Sequence, residues 1–190
     1  MKILLVLLFA CSLVGLKAQD FKMRMSASLG ANFATVNSFN NEISNAPKPG
    51  HTIVVNGFFG NKIRFSPGIT LRHYKNEVVV GSSPQIQNHM SVDLLNYRLG
   101  AEGMLFSKSK FSLWLFTGLG LDHYLSIKSK ELAIDKNDFH STVLTALGGL
   151  RFQLSRFFLS ASYENGMKGY YKPMDESNII YEFTLGTKIF

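Results

Sequence analysis

Asp122-His123 is the first place in this 190-residue chain where chemistry could be sought, since a carboxylate beside an imidazole is the raw material of general acid–base catalysis. The two residues are sequence neighbours, however. On a β-strand neighbours point to opposite faces and cannot converge on one substrate. A second corner gathers Ser126, Glu131, His140 and Ser141 within a short stretch. A nucleophile needs a base within hydrogen-bond reach and a third group to hold that base, and nothing in this spacing secures such an arrangement. His51, His73, His89, His123 and His140 are scattered singly, without metal-ligand spacing. The lone cysteine, Cys11, excludes a disulfide scaffold and a Cys-rich zinc site. No phosphate-binding or dinucleotide fingerprint runs from a strand into a helix. Catalytic, cofactor-binding and metal-binding assignments are therefore none, no cofactor is expected, and the chain is read as a non-enzyme.

One charged set does carry a pattern. Arg64, Arg72, Arg98 and Arg151, together with Glu102, Asp122, Glu164 and Glu182, each take, within their own stretch, the parity opposite a mainly apolar one that carries almost no charge. What they do depends on the elements that position them. In 111–127 the odd positions Phe111, Leu113, Leu115, Leu119, Leu121, Leu125 and Ile127 are apolar, and the even positions mix Trp114, Phe116, glycine and polar residues. Period two over this length means a long strand with two different environments. The pattern recurs at about 21–35, 51–60, 63–75, 91–106, 140–154, 157–171 and 179–189, with Phe58, Leu94, Val143 and Leu147 breaking parity. Asn61-Lys62, Ser107 to Lys110 and Ser155-Arg156 are short connections, and about 36–50, 76–90, 128–139 and 172–178 are longer ones. Long and short alternate, so they fall on opposite ends. Outer-membrane barrels have this asymmetry, with short periplasmic turns, longer external loops and an even strand number.

The fold class predicted is all-β: an eight-stranded antiparallel up-and-down transmembrane β-barrel. A soluble barrel would turn its apolar face inward, whereas here the opposite face carries the Arg, Glu, Trp and glycines, as a lumen does. Eight strands enclose a space that side chains fill. Charges placed there must pair, because isolated burial is expensive. The shared-parity set is thus expected to form a salt-bridge network plugging the lumen, with Arg98 and Glu102 as members. Tyr74, Tyr97, Tyr124, Tyr163, Tyr170 and Tyr171 near strand ends suggest interfacial girdles. Small residues such as Gly118 and Gly120 are expected to make room for lumen neighbours such as Trp114 or Tyr124.

Composition agrees. The chain is 46% apolar and 13% aromatic, with only 17% charged residues and a formal net charge of +7. That is an odd make-up for a soluble nucleic-acid binder, and no nucleic-acid partner is expected. Residues 1–18, with Lys2 followed by an apolar run and ending at Ala18, read as a secretory signal peptide, leaving 19–190 as one barrel domain. Leu8-Phe9-Ala10-Cys11 is only loosely like a lipidation motif, since Cys11 lies early and apolar sequence follows it. Once Lys2 and Lys17 leave, the excess of positive charge falls on inward-parity positions, which include Lys22, Arg24, Lys128, Lys168 and Lys188, so it is expected to face the lumen.

The chain resembles the PorT-like outer-membrane β-barrel proteins of Bacteroidetes-type bacteria. The likeness rests on Lys17-Ala18-Gln19, Leu29-Gly30-Ala31-Asn32-Phe33, Gly118-Leu119-Gly120-Leu121, Leu147-Gly148-Gly149-Leu150, Tyr163-Glu164-Asn165-Gly166 and Leu185-Gly186-Thr187-Lys188-Ile189-Phe190. It implies an outer-membrane location, contact with outer-membrane lipid, recognition of terminal Phe190 by the barrel-assembly machinery, and a role linked to other envelope or secretion proteins. Lys188 stands where that terminal signal usually has an apolar residue, and a bulge in the last strand is one explanation. The function expected is structural, binding or secretion-accessory, through the external loops. The alternatives are a rim-located lipid-modifying enzyme and a small-solute or anion channel.

Overall fold

Alternating side chains cannot be buried on both faces of a single sheet, and a sheet that closes on itself resolves this by giving each parity its own environment. The computed structural model of the chain describes residues 23–37, 43–80, 86–129, 140–168 and 177–189. They form β1 (Met23–Asn37), β2 (Ile43–Gly60), β3 (Ile63–Val80), β4 (Ile86–Lys108), β5 (Phe111–Ser129), β6 (Thr142–Leu154), β7 (Phe157–Gly166) and β8 (Ser177–Lys188). Each strand pairs antiparallel with the next, and β8 pairs with β1 from Ser177↔Asn37 to Lys188↔Ser26, so the sheet is a closed barrel. Closure leaves no unpaired sheet edge, which is the condition for crossing lipid with strands.

The apolar parity faces outward. Leu29, Ile63, Leu99, Leu119, Leu159, Phe183 and Leu185 are each at least half exposed, while Arg64, Arg72, Glu102, Asp122 and Glu164 on the other parity are buried. Phe58, Leu94 and Val143 are buried too, and Leu147 has the same inward parity. These four do not break the pattern. They are lumen-filling apolar side chains on the inner face.

Several boundaries differ from the sequence reading. β2 begins at Ile43, inside the stretch expected as loop 36–50. β3 runs on to Val80 and β4 starts at Ile86, inside the expected loop 76–90. Pairs such as Val80↔Ile86 and Ile43↔Val80 continue the ladder there, so the polar, proline-bearing composition marks strand that extends past the apolar band. β7 stops at Gly166, short of the expected 171. On β5 the register shifts beside Leu125, because Asp93 pairs with Ser126 and Leu94 with Tyr124. The extra residue flips the parity beyond it, as a bulge does. Ile127 therefore packs against the internal apolar cluster and Lys128 is exposed, the reverse of the expected orientation. β8 keeps one register with β1 from Ser177 to Lys188, so no bulge accounts for the ending. Residues 1–18, read from sequence as a signal peptide and including Cys11, and Phe190 lie outside the described residues.

Two glycines show how tightly the lumen is filled. A Cβ on Gly149 would lie 2.6 Å from Cζ of Phe116, and one on Gly186 would lie 2.4 Å from Cζ of Phe158. These phenylalanines are the bulky partners of lumen glycines. Gly120 instead makes room for Asn96 and Thr145.

Candidate functional site

The lumen is filled in three layers. Nearest the short turns, Glu102 on β4 faces Arg64 on β3 and Arg151 on β6. Arg64 Nη2 donates to Glu102 Oε2 at 2.6 Å, and Arg151 Nη1 donates to Oε1 at 2.7 Å and to Oε2 at 3.0 Å. The guanidinium of Arg64 also lies 3.4 Å from the Trp114 ring centroid and 4.7 Å from that of Phe58. Arg151 lies 4.9 Å from Phe58 and 4.8 Å from Phe158. Arg64 Nε and Nη1 and Arg151 Nε have no hydrogen-bond acceptor, and the faces of these rings stand in for one.

The middle layer is the denser network. Glu182 accepts from Arg72 Nε at 2.9 Å, from Arg98 Nη1 at 3.1 Å and from Thr52 Oγ1 at 3.0 Å. Glu164 accepts from Arg72 Nη2, from Arg98 Nη2 at 3.2 Å, from Asn96 Nδ2 at 2.9 Å and from Thr145 Oγ1 at 2.6 Å. Asp122 is held by Asn96 and lies 3.8 Å from Arg72 Nη1. Seven strands, β2 to β8, contribute, so the network laces opposite walls together. Thr145→Val should cost about 1.5 kcal/mol of unfolding free energy, the low end for a hydrogen bond to a charged group, in equilibrium unfolding of the folded barrel.

Toward the other end an apolar lid closes the lumen, built from Ala34, Tyr74, Met90, Val92, Leu94, Tyr124, Val143 and Ile180, all buried. Tyr74 and Tyr124 are thus lid residues and not girdle residues. Among the described residues Tyr97, Tyr163 and Tyr181 are the exposed ones, the last two meeting edge to face at 5.5 Å, and Tyr170 and Tyr171 lie outside the described residues. Between the lower two layers lies a cavity of about 30 Å³ lined by Ser28, Ser66, Arg98, Glu102, Arg151 and Thr184 among others, room for a water or two.

All eight shared-parity residues meet here. They are four guanidiniums and four carboxylates, so the network is formally neutral, and the excess positive charge lies elsewhere. Arg24 and Lys188 are half-buried at the short-turn mouth, and Lys128 and Lys168 are exposed. Lys22 lies outside the described residues. The expectation that the excess faces the lumen is corrected for Lys128 and Lys168, whereas Arg24 and Lys188 keep the inward parity at the lumen mouth; the deep lumen charge is compensated, because an unpaired ion in that space costs several kcal/mol.

Asp122 points inward and His123 is exposed, on opposite faces of β5. Among the described residues no hydrogen bond joins Ser126, His140 and Ser141, and Glu131 lies outside them. The structure does unite residues that looked scattered. His51 on β2 stacks on His73 on β3 at 4.8 Å, and His73 Nδ1 lies 2.7 Å from Oδ1 of Asp93 on β4. The three are cross-strand partners on the outer face, where Ile53, Leu71 and Leu95 give way to polar side chains. The signal was hairpin register. The pairing Gly60↔Arg64 next to the turn, continued up the strands, brings His51 opposite His73. Among the described residues no group of three His, Cys, Asp or Glu side chains could hold a metal ion.

No protein-family model matches the chain, and no curated protein matches it. Solved structures do. Neisserial surface protein A aligns with a TM-score of 0.51 at 16% identity, covering 86% of this chain and 96% of its own. The outer membrane protein AlkL, determined in lipid bilayers, aligns with a TM-score of 0.52 at 13% identity, covering 89% and 91%. This chain has the fold of the eight-stranded outer-membrane barrels. Ail, the attachment invasion locus protein of Yersinia pestis, aligns at 18% identity with a TM-score of 0.49, covering 88% and 99%.

Proposed function

We propose that the chain is an integral outer-membrane protein, exported by its signal peptide, whose barrel is a sealed, non-enzymatic scaffold. Its structural, binding or secretion-accessory work is done at the long-connection end. One observation carries this reading: the lumen is closed by an aromatic–guanidinium layer, a neutral ion network and an apolar lid in series. Transport through such a core would require breaking buried ion pairs, which costs about 3–5 kcal/mol for each broken pair. What remains available to partners is the surface. The apolar outer face supports lipid contact, and the PorT-like sequence likeness supports a link to envelope or secretion proteins and assembly through Phe190. The test is reconstitution into planar bilayers. The expected result is no discrete conductance and no release of small solutes from proteoliposomes. Stepwise anion current would favour a channel instead.

A second reading has its own observation. Asp93 fixes His73 at the level where outer-face residues turn polar, and a histidine held by a carboxylate is suited to act as a general base. Mass change in outer-membrane lipids incubated with the barrel, lost in His73→Ala, would favour a lipid-modifying enzyme. Unchanged lipid is the result expected of the scaffold.

A further inference from the structure

We propose that the short-turn end of the barrel is a docking surface for anionic phospholipid headgroups, held by a ring of basic residues that encircles the barrel. Lys62 lies on the β2–β3 turn, Lys108 at the end of β4 with Lys110 on the turn that follows, and Arg156 on the β6–β7 turn, and all four are exposed. The β8–β1 seam adds Lys188 and Arg24, half-buried at the lumen mouth, where Lys188 lies within electrostatic reach of Arg24, Arg64 and Arg151. The described carboxylate at this end is Glu102. It is buried and already engaged by Arg64 and Arg151. Among the described residues the face therefore presents one sign of charge.

Two features select lipid over a protein partner. The bases occur on every short turn and at the seam, so they surround the barrel. An annulus of lipid meets the whole circle, whereas a single docked protein would meet one arc. Each turn also sits beside outward-facing apolar and aromatic side chains. Phe65 flanks the first, Phe106 and Phe111 the second, and Phe152 and Phe157 the third, all exposed. Phe106, Phe111 and Phe152 form a continuous run with centroids 6.1 and 6.4 Å apart. Aromatic rings at the edge of the apolar band followed by Lys or Arg form an interfacial anchor, with the rings at headgroup depth and the cations among the phosphates. The opposite end also carries exposed bases, Lys75, Lys128 and Lys168, but the described outer face there turns to polar side chains such as His51, His73 and Asp93 in place of the aromatic rings.

The probe is phosphatidylglycerol. The barrel is folded in nanodiscs of phosphatidylcholine containing a minority of phosphatidylglycerol, and the lipid retained after release is measured by native mass spectrometry. Retained phosphatidylglycerol should be enriched over its share of the disc, and the enrichment should shrink as salt rises. Lys62→Gln, Lys108→Gln, Lys110→Gln and Arg156→Gln combined should cut it on the order of tenfold or more, given the attraction of each base to an anionic surface. These residues lie on exposed turns, and an unchanged unfolding midpoint verifies folding. Lys128→Gln with Lys168→Gln should leave the enrichment intact. No enrichment in the unmodified barrel, or equal enrichment in the quadruple variant, overturns the proposal. So does binding of soluble polyglutamate that depends on the four bases while lipid retention does not, which would assign the ring to an acidic protein.

Discussion

Glu102→Leu should lower the unfolding free energy of the barrel by about 3–5 kcal/mol, the cost of leaving buried charge uncompensated. Two guanidiniums depend on this one carboxylate. Arg64 and Arg151 both hydrogen-bond to it, and their other contacts are ring faces and mutual repulsion. Adding Arg64→Met and Arg151→Met to Glu102→Leu should recover most of the loss, since replacing a whole buried ionic group by apolar side chains of similar volume is often neutral or better. The measurement is denaturant unfolding of the folded barrel, arranged as a mutant cycle. Independent, additive losses would show that the three side chains do not act as a unit. The middle network should respond less sharply to any one deletion, because Glu164 and Glu182 share the same two arginines.

Gly186→Val should cost about 3 kcal/mol, the upper end for overpacking, because the seam between β8 and β1 has no slack. A side chain there would meet Cζ of Phe158 at 2.4 Å and Cβ of Ser28 at 2.5 Å. Phe158 can yield, but the backbone of β1 cannot move without opening the seam. Phe158→Ala in the same chain should recover part of the loss. The part that remains measures the contact with β1. If Gly186→Val folds as well as the parent barrel, the lumen at this level is not close-packed.

The architecture was readable from parity because a barrel in lipid gives each parity one environment over the full strand length. The same logic puts Arg64, Arg72, Arg98, Glu102, Asp122, Arg151, Glu164 and Glu182 on one face from sequence alone. Their pairing was not readable, since it depends on register and on how far each side chain reaches across the lumen. Arg72 and Glu182, for instance, belong to strands that are not neighbours. Parity failed at Lys128, where one extra residue in β5 reversed everything beyond it. It also misassigned Tyr74 and Tyr124, because a tyrosine at a strand end serves either a girdle or a lid, and position alone does not choose. Composition failed at 43–50, 76–80 and 86–90, where polar strands extend beyond the apolar band and read as loop. His51, His73 and Asp93 were missed because proximity was sought along the chain and arose across three strands.

A sealed lumen requires that the eight strands close into one barrel with their apolar face outward. Heat-modifiable migration in detergent gels tests this most directly. Unheated protein should run as a compact band displaced from the boiled form, and the unheated band should survive detergent that unfolds ordinary soluble sheets. Identical migration with and without boiling, for protein purified from membranes in mild detergent, would contradict the closed barrel and the sealed lumen built on it.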